Sequence, residues 1–129
     1  MSRHIDFLRL DHFAITVRDI EKSASWYRTV LGFEIFHKWD NAWMLRRGDV
    51  GIGLYTSAAQ GPAKPDEQIA IQHVAFRVTP EHYQTAQATL TALGVPFDPP
   101  HDTGVSWTLF FKDPDGHRIE LTYYHKPSA

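Results

Sequence analysis

The sequence predicts an α+β fold built from two βαβββ modules, and three observations carry that prediction. Leu10–Val17 reads as a strand, with Phe13, Ile15 and Val17 on one face and His12, Ala14 and Thr16 on the other. The phrase returns at Ile71–Val78, where His73 shares its face with Ala75 and Arg77; the two histidines stand 61 residues apart, and Ala14/Ala75 and Val17/Val78 keep that offset. After each of these strands comes a stretch of helical period that ends on Leu-Gly, at Leu31-Gly32 and at Leu93-Gly94. A period of about 60 residues is too long for a solenoid, so two copies predict one pseudo-symmetric domain.

In the first copy, Asp19 stands where a helix N-cap belongs. Ile20, Ala24, Tyr27 and Leu31 recur at helical spacing, with Trp26 and Val30 widening the stripe. Strands follow at about Phe33–Trp39, Ala42–Arg47 and Val50–Thr56, separated by the turn pairs Asp40-Asn41 and Gly48-Asp49. Residues 1–7 read as a short arm. The Ala-, Gly- and Pro-rich stretch after Thr56 has no period and reads as an exposed linker. In the second copy, Thr79-Pro80 supplies an N-cap followed by proline at the first helical position, and Tyr83, Ala86, Leu90 and Leu93 form the buried stripe. A short strand at Val95–Asp98, a loop over Pro99–Gly104, a strand at Val105–Lys112, the turn Asp113–Gly116 and a last strand at His117–Tyr124 complete the copy. The organisation is one domain, 1–129, with module one at about 8–57, a linker at about 58–69 and module two at about 70–125.

At 129 residues and 14.8 kDa the chain is long enough for a packed core without staples. A formal net charge of −2 gives no electrostatic footprint for nucleic acid or an anionic membrane. With no cysteine, disulfides, thiolate nucleophiles and Cys-ligated zinc are excluded. No stretch approaches a membrane span and no signal peptide is visible, so the cytoplasm is the expected compartment.

The chemistry follows from the duplication. Aligning the copies by their ends lays Ile119-Glu120-Leu121 over Ile52-Gly53-Leu54. Four positions then pair, His12 with His73 and Gly53 with Glu120, and three of them carry metal-binding side chains. A lone histidine on the polar face of a strand is ordinarily structural or idle; matched placement in two copies, with a carboxylate at the partner position, is what distinguishes this set. Two neutral imidazoles and a carboxylate suit one divalent ion, Mn²⁺, Fe²⁺, Co²⁺, Ni²⁺ or Zn²⁺, and three protein ligands leave open positions for water and substrate.

Leu10–Val17 with Asp19 and Trp26-Tyr27, then Leu31-Gly32-Phe33, His73–Phe76 and Phe110–Leu121 with its Asp-Pro-Asp-Gly-His-x-x-Glu ending resemble the vicinal oxygen chelate superfamily, which includes glyoxalase I, extradiol dioxygenases, fosfomycin-resistance enzymes and bleomycin-resistance proteins. The resemblance covers nearly the whole chain. It implies that the modules form a cupped, incompletely closed mixed sheet with one helix per module outside. Ligand roles for His12, His73 and Glu120 are implied too, as is a homodimer. The fourth ligand position, a Glu in glyoxalase I, matches Gly53, which argues against ordinary glyoxalase I chemistry. The fosfomycin pattern is also departed from: Ala14 replaces a threonine and Phe110 a tyrosine, although Thr108 keeps a hydroxyl.

As substrate-binding candidates the sequence offers Trp39 or Trp43 as a pocket wall, Arg77 at the rim beside His73, and Thr108, Phe110 and Tyr124 on the last two strands. His37 and His101 are further candidates for acid–base work. Aromatics on half-buried strands more often pack a core or a dimer interface, and Trp107 is read so. Arg46-Arg47 reads as a solvated strand end. The expected function is that of a metal-dependent lyase, transferase or dioxygenase acting on a small molecule with vicinal oxygens. A bleomycin-resistance-like binding protein or a sensor without turnover is the alternative.

Overall fold

The structure is a computed structural model that describes residues 6, 8–56 and 73–126. The arm, the linker and the Ile71-Gln72 start of the second repeat lie outside the described residues, apart from Asp6 and Thr56 at their edges. The chain divides into two compact units at Ala63 and Lys64.

In the first unit, β1 (His12–Thr16) leads into α1 (Ile20–Leu31), followed by β2 (Glu34–Lys38), β3 (Ala42–Arg47) and β4 (Val50–Tyr55). The Asp19 carboxylate accepts from the Lys22 N–H at 3.1 Å, satisfying a donor that the first helical turn leaves open. At the other end Gly32 turns left-handed, φ 72°, and Arg47 Nη1 donates to the Leu31 carbonyl at 2.8 Å. The sheet runs β1-β4-β3-β2, with β1 parallel to β4 and the other pairs antiparallel. Ser23, Ala24 and Tyr27 of α1 are buried, as are Leu45, Ile52 and Leu54 of the sheet.

The second unit repeats the plan with β5 (Val74–Arg77), α2 (Pro80–Ala92), β6 (His101–Asp102), β7 (Ser106–Lys112) and β8 (Arg118–Tyr124), in the order β5-β8-β7-β6 with β5 parallel to β8. Thr79 Oγ1 caps α2 by accepting from the His82 N–H at 3.1 Å. Buried Tyr83 packs its ring on Tyr123, with centroids 5.0 Å apart, and donates its hydroxyl to the Thr108 carbonyl at 2.7 Å. Burial, and after it the neighbouring Tyr123, pushes the Tyr83 phenol up from its ordinary pKa. In the turn after β7, Asp113 Oδ1 accepts from the N–H groups of Asp115 and His117, and Gly116 takes φ 87°.

Two expectations are corrected. Val95–Asp98 is not a strand: it forms an isolated bridge, Phe97 to Phe111, and the paired edge is His101–Asp102, inside the stretch read as a loop. Pro96 and the Pro99-Pro100 pair withhold the N–H groups a continuous ladder needs. Leu93 is exposed, leaving Tyr83 and Leu90 as the fully buried residues of α2. Three residues advance the helix by about 300°, so Leu93 is turned roughly 60° away from Leu90 at the frayed end of the helix.

No described helix is long and apolar enough to cross a membrane.

Candidate metal and substrate site

Strand register assigns the side chains to faces, because residues directly opposite one another point the same way. In the first unit, His12 pairs with Gly51, Ala14 with Gly53 and Thr16 with Tyr55; across β4, Arg46 pairs with Gly51, Met44 with Gly53 and Ala42 with Tyr55. These residues form the His12 face. The opposite face carries Phe13, Ile15, Ile52, Leu54 and Leu45. In the second unit, Ala75 pairs with Glu120 and Arg77 with Thr122, and across β8 Phe110 pairs with Glu120, Thr108 with Thr122 and Ser106 with Tyr124. The pairs Ala14–Gly53 and Ala75–Glu120 are therefore the same register position in the two copies, as the alignment of copy ends required.

The Glu120 face is polar yet sheltered. Ser106, Thr108, Glu120 and Thr122 are all buried there, on the side of the sheet away from Tyr83 and Leu109. Four buried polar side chains in neighbouring rows suit a ligand-binding surface better than a core, which would fill with aliphatic groups. His73 Nε2 lies 3.1 Å from Glu120 Oε1, and the His73 ring meets Phe110 edge-on at 5.4 Å. Arg118 covers the Phe110 ring at 4.3 Å, and Arg77 covers the Tyr124 ring at 4.6 Å. The structure thus gathers His73, Glu120, Arg77, Thr108, Phe110 and Tyr124 on one face of one sheet. Thr108 Oγ1 reaches the His101 carbonyl at 3.4 Å. At the far end of this sheet His125 Nε2 lies 2.7 Å from Asp102 Oδ1; that contact, then the Gly104 N–H, holds the Asp102 carboxyl below the usual carboxylate range.

The tryptophans separate. Trp43 shares its row with Lys38 and Leu54, on the face opposite His12, and Lys38 Nζ sits 4.2 Å above its ring. Trp39 packs on His37, ring centroids 4.5 Å apart, and His37 shares the row of Met44 and Gly53. Trp39 is therefore the one associated with the His12 face.

Two residues on that face were not anticipated. The Tyr55 ring folds back over Gly53: a Cβ built on Gly53 would stand 2.8 Å from Tyr55 Cε1 and 3.5 Å from Ala14 Cβ. An aromatic ring thus takes the space that a side chain opposite Glu120 in the duplication would fill. Only the period-two parity linking Gly51, Gly53 and Tyr55 pointed to it. Asp11 is the other: its Oδ2 lies 2.7 Å from His12 Nδ1, and Arg46 Nη2 reaches both of its oxygens at 2.9 Å. The His12 ring first, then the Arg46 guanidinium, hold the Asp11 carboxyl below its ordinary range. Arg46 and Arg47 are accordingly not a solvated strand end; each has a specific partner.

Adding a methyl group at residue 53 is expected to destabilise the protein by about 1–3 kcal/mol, because the ring must move. Urea denaturation of Gly53→Ala alone and in a Tyr55→Ala background measures this; a cost that persists undiminished without the ring would contradict the packing described.

Residues 9–121 match the Glyoxalase/Bleomycin resistance protein/Dioxygenase superfamily. The chain belongs to this superfamily. Among its relatives, the glutathione transferase FosA of Serratia marcescens is 30% identical over 113 residues, covering 87% of this chain and 78% of that protein. A probable lactoylglutathione lyase of Vibrio cholerae is 30% identical over 131 residues, covering 94% and 91%. In three dimensions the chain is similar to a glyoxalase family protein from Enterococcus faecalis, with a TM-score of 0.76 at 27% identity and coverage of 91% and 98%. The duplicated βαβββ plan is thus the superfamily's fold, and Ser106, Thr108 and Glu120 of the polar face lie inside the matched region.

Proposed function

We propose that this glyoxalase-superfamily chain is a divalent-metal-dependent enzyme acting on a small substrate with oxygens on neighbouring atoms, and that His12, His73 and Glu120 are the metal ligands. The observation that carries the reading is the His73–Glu120 pair, with Nε2 and Oε1 3.1 Å apart on a sheltered polar face. Two donors bound to one ion at about 2.1 Å, at angles between square and tetrahedral, stand roughly 3.0–3.4 Å apart, so the pair fits a shared cation. His12 holds the matching place in the first copy. Among the described residues no three His, Cys, Asp or Glu side chains stand together so as to hold an ion, and it is the duplication that adds His12 to the pair. The donors suit Mn²⁺, Fe²⁺, Co²⁺, Ni²⁺ or Zn²⁺. Such an ion would supply Lewis acidity to a pair of substrate oxygens.

The remaining work falls to side chains. The Arg77 guanidinium, steadied on Tyr124, offers an anionic substrate group a planar donor. The hydroxyl of Thr108 would orient an oxygen and Phe110 would give it an apolar wall; Trp39 is the candidate wall on the first module. The reading takes 1–129 as one functional domain and the cytoplasm as its compartment. Lyase, transferase and dioxygenase chemistry all fit it; the relative named a glutathione transferase, FosA, favours transfer.

The test is a panel of a hydroxy-ketone, an epoxide with and without a thiol, and a catechol under oxygen, each offered to metal-loaded and chelated protein. Product from the loaded form alone is expected. Equal binding by both forms with no product from any compound would instead identify a sequestering protein of the bleomycin-resistance kind.

The same proposal includes a homodimer. Phe36 is 66% exposed on β2, an edge strand whose residues are all exposed, and uncovered apolar edges invite pairing. Sedimentation equilibrium at micromolar concentration is expected to show a species of twice the 14.8 kDa chain; only the single chain would reject the dimer.

A further inference from the structure

Module two presents its histidine to the site face through Nε2, the atom beside Glu120. In module one, Nδ1 of His12 is already engaged, 2.7 Å from Asp11 Oδ2. An ionised carboxylate has only lone pairs to offer, so a contact this short requires the proton on Nδ1 and leaves the lone pair on Nε2.

Asp11 is itself held. Arg46 Nη2 donates to both of its oxygens at 2.9 Å, although Arg46 belongs to β3 and β4 lies between it and β1. The guanidinium crosses β4 at Gly51, the residue that shares a row with both Arg46 and His12. A Cβ there would lie 2.9 Å from His12 Cβ, 3.2 Å from Met44 Sδ and 3.5 Å from the Asp11 carbonyl oxygen, so glycine at this place lets His12 and Met44 sit as they do beside the contact. Phe36 supports the guanidinium from one side at 5.6 Å. The second copy carries neutral Gln72 where the first has Asp11, so the carboxylate stands before the histidine in module one only.

We infer that Asp11, clamped by Arg46 across Gly51, is a positioning residue: it fixes His12 in the Nδ1–H tautomer and presents Nε2 as the donor to a divalent cation. The inference rests on the ligand role proposed above for His12. Partners that fix a ligand imidazole in this way set its ring angle and raise its basicity, and their loss typically costs about 10–100-fold in metal affinity.

The test has two readouts on purified full-length protein. Long-range ¹H–¹⁵N correlation spectra of the metal-free protein, at a pH where the imidazoles are neutral and with His12 assigned by comparison with His12→Gln, report the tautomer. Competition titration with Zn²⁺ or Co²⁺ reports affinity. Wild-type His12 is expected in the Nδ1–H form, reverting in Asp11→Ala to the Nε2–H form that free imidazole favours, with affinity down about 10–100-fold. Asp11→Asn, which keeps an acceptor, and Arg46→Met, which keeps the carboxylate but frees it, should each lose less. An Nε2–H form in the wild type, or an Asp11→Ala protein unchanged in both tautomer and affinity, would overturn the inference. If the wild type takes up neither ion, the ligand role of His12 fails and the donor half of the inference with it; the spectra still decide whether Asp11 sets the tautomer.

Discussion

Glu120→Gln is expected to lower divalent-metal retention by more than about 100-fold while leaving the fold in place. The substitution keeps the shape of a buried side chain and removes the charge that the proposed ligand role requires, so on that reading its effect on the ion exceeds what loss of a supporting hydrogen bond would cause. His73→Ala should act similarly, because Nε2 and Oε1 stand 3.1 Å apart and a cation held by one is within reach of the other. His12→Ala tests the contribution of the first module. Protonated imidazole has no lone pair to give, so retention by the wild type should also fall in acid. The measurement is metal content per chain after loading and dialysis. Full occupancy in a His12→Ala, Glu120→Ala double variant would remove the basis for the metal site altogether.

Chelation, by contrast, is expected to abolish turnover without unfolding the protein. A structural metal closes its shell with four protein ligands, and domains that depend on one unfold when it is withdrawn. Here the position that duplication pairs with Glu120 is Gly53, covered by the Tyr55 ring, and it offers no donor. Each unit also has its own apolar packing: Leu45, Ile52 and Leu54 are fully buried in the first and Leu109 in the second. Leu54→Ala or Leu109→Ala should each cost about 2–5 kcal/mol, through lost transfer energy and the cavity left behind. That is a large part of a typical total of roughly 5–15 kcal/mol. Urea midpoints for chelated wild type and for the two leucine variants separate the cases. A chelated protein that melts as early as Leu109→Ala would make the metal structural.

The parts of this protein legible in its sequence are those governed by short-range rules. Period-two alternation by itself places His12 with Ala14 and Thr16, and His73 with Ala75 and Arg77. The Gly48-Asp49 turn sets the β3–β4 register through Arg47 and Val50, which carries Met44 opposite Gly53. The duplication supplied what local rules cannot, the equivalence of Gly53 and Glu120, while the parallel registers that set Ala14 opposite Gly53 and Ala75 opposite Glu120 came from the structure. Thr108, Phe110 and Tyr124 fell on the Glu120 face for the same reason of parity.

Other features were decided only when distant segments met. Val95–Asp98 has strand-like composition, but the edge of β7 takes one residue of it and then pairs with His101–Asp102, since pairing depends on which N–H groups the intervening prolines leave. The β2 register shifts between Ile35 and His37, leaving Phe36 outside the β2–β3 pairing, an irregularity that no turn signal announces. The Asp11–Arg46 contact joins residues 35 apart, along the row that Arg46 and His12 share with Gly51. Sequence by itself determined which residues share a strand face, because that follows from backbone geometry one residue at a time. Tertiary structure alone decided which side chains from separate strands touch, because that depends on the space left by every neighbour at once.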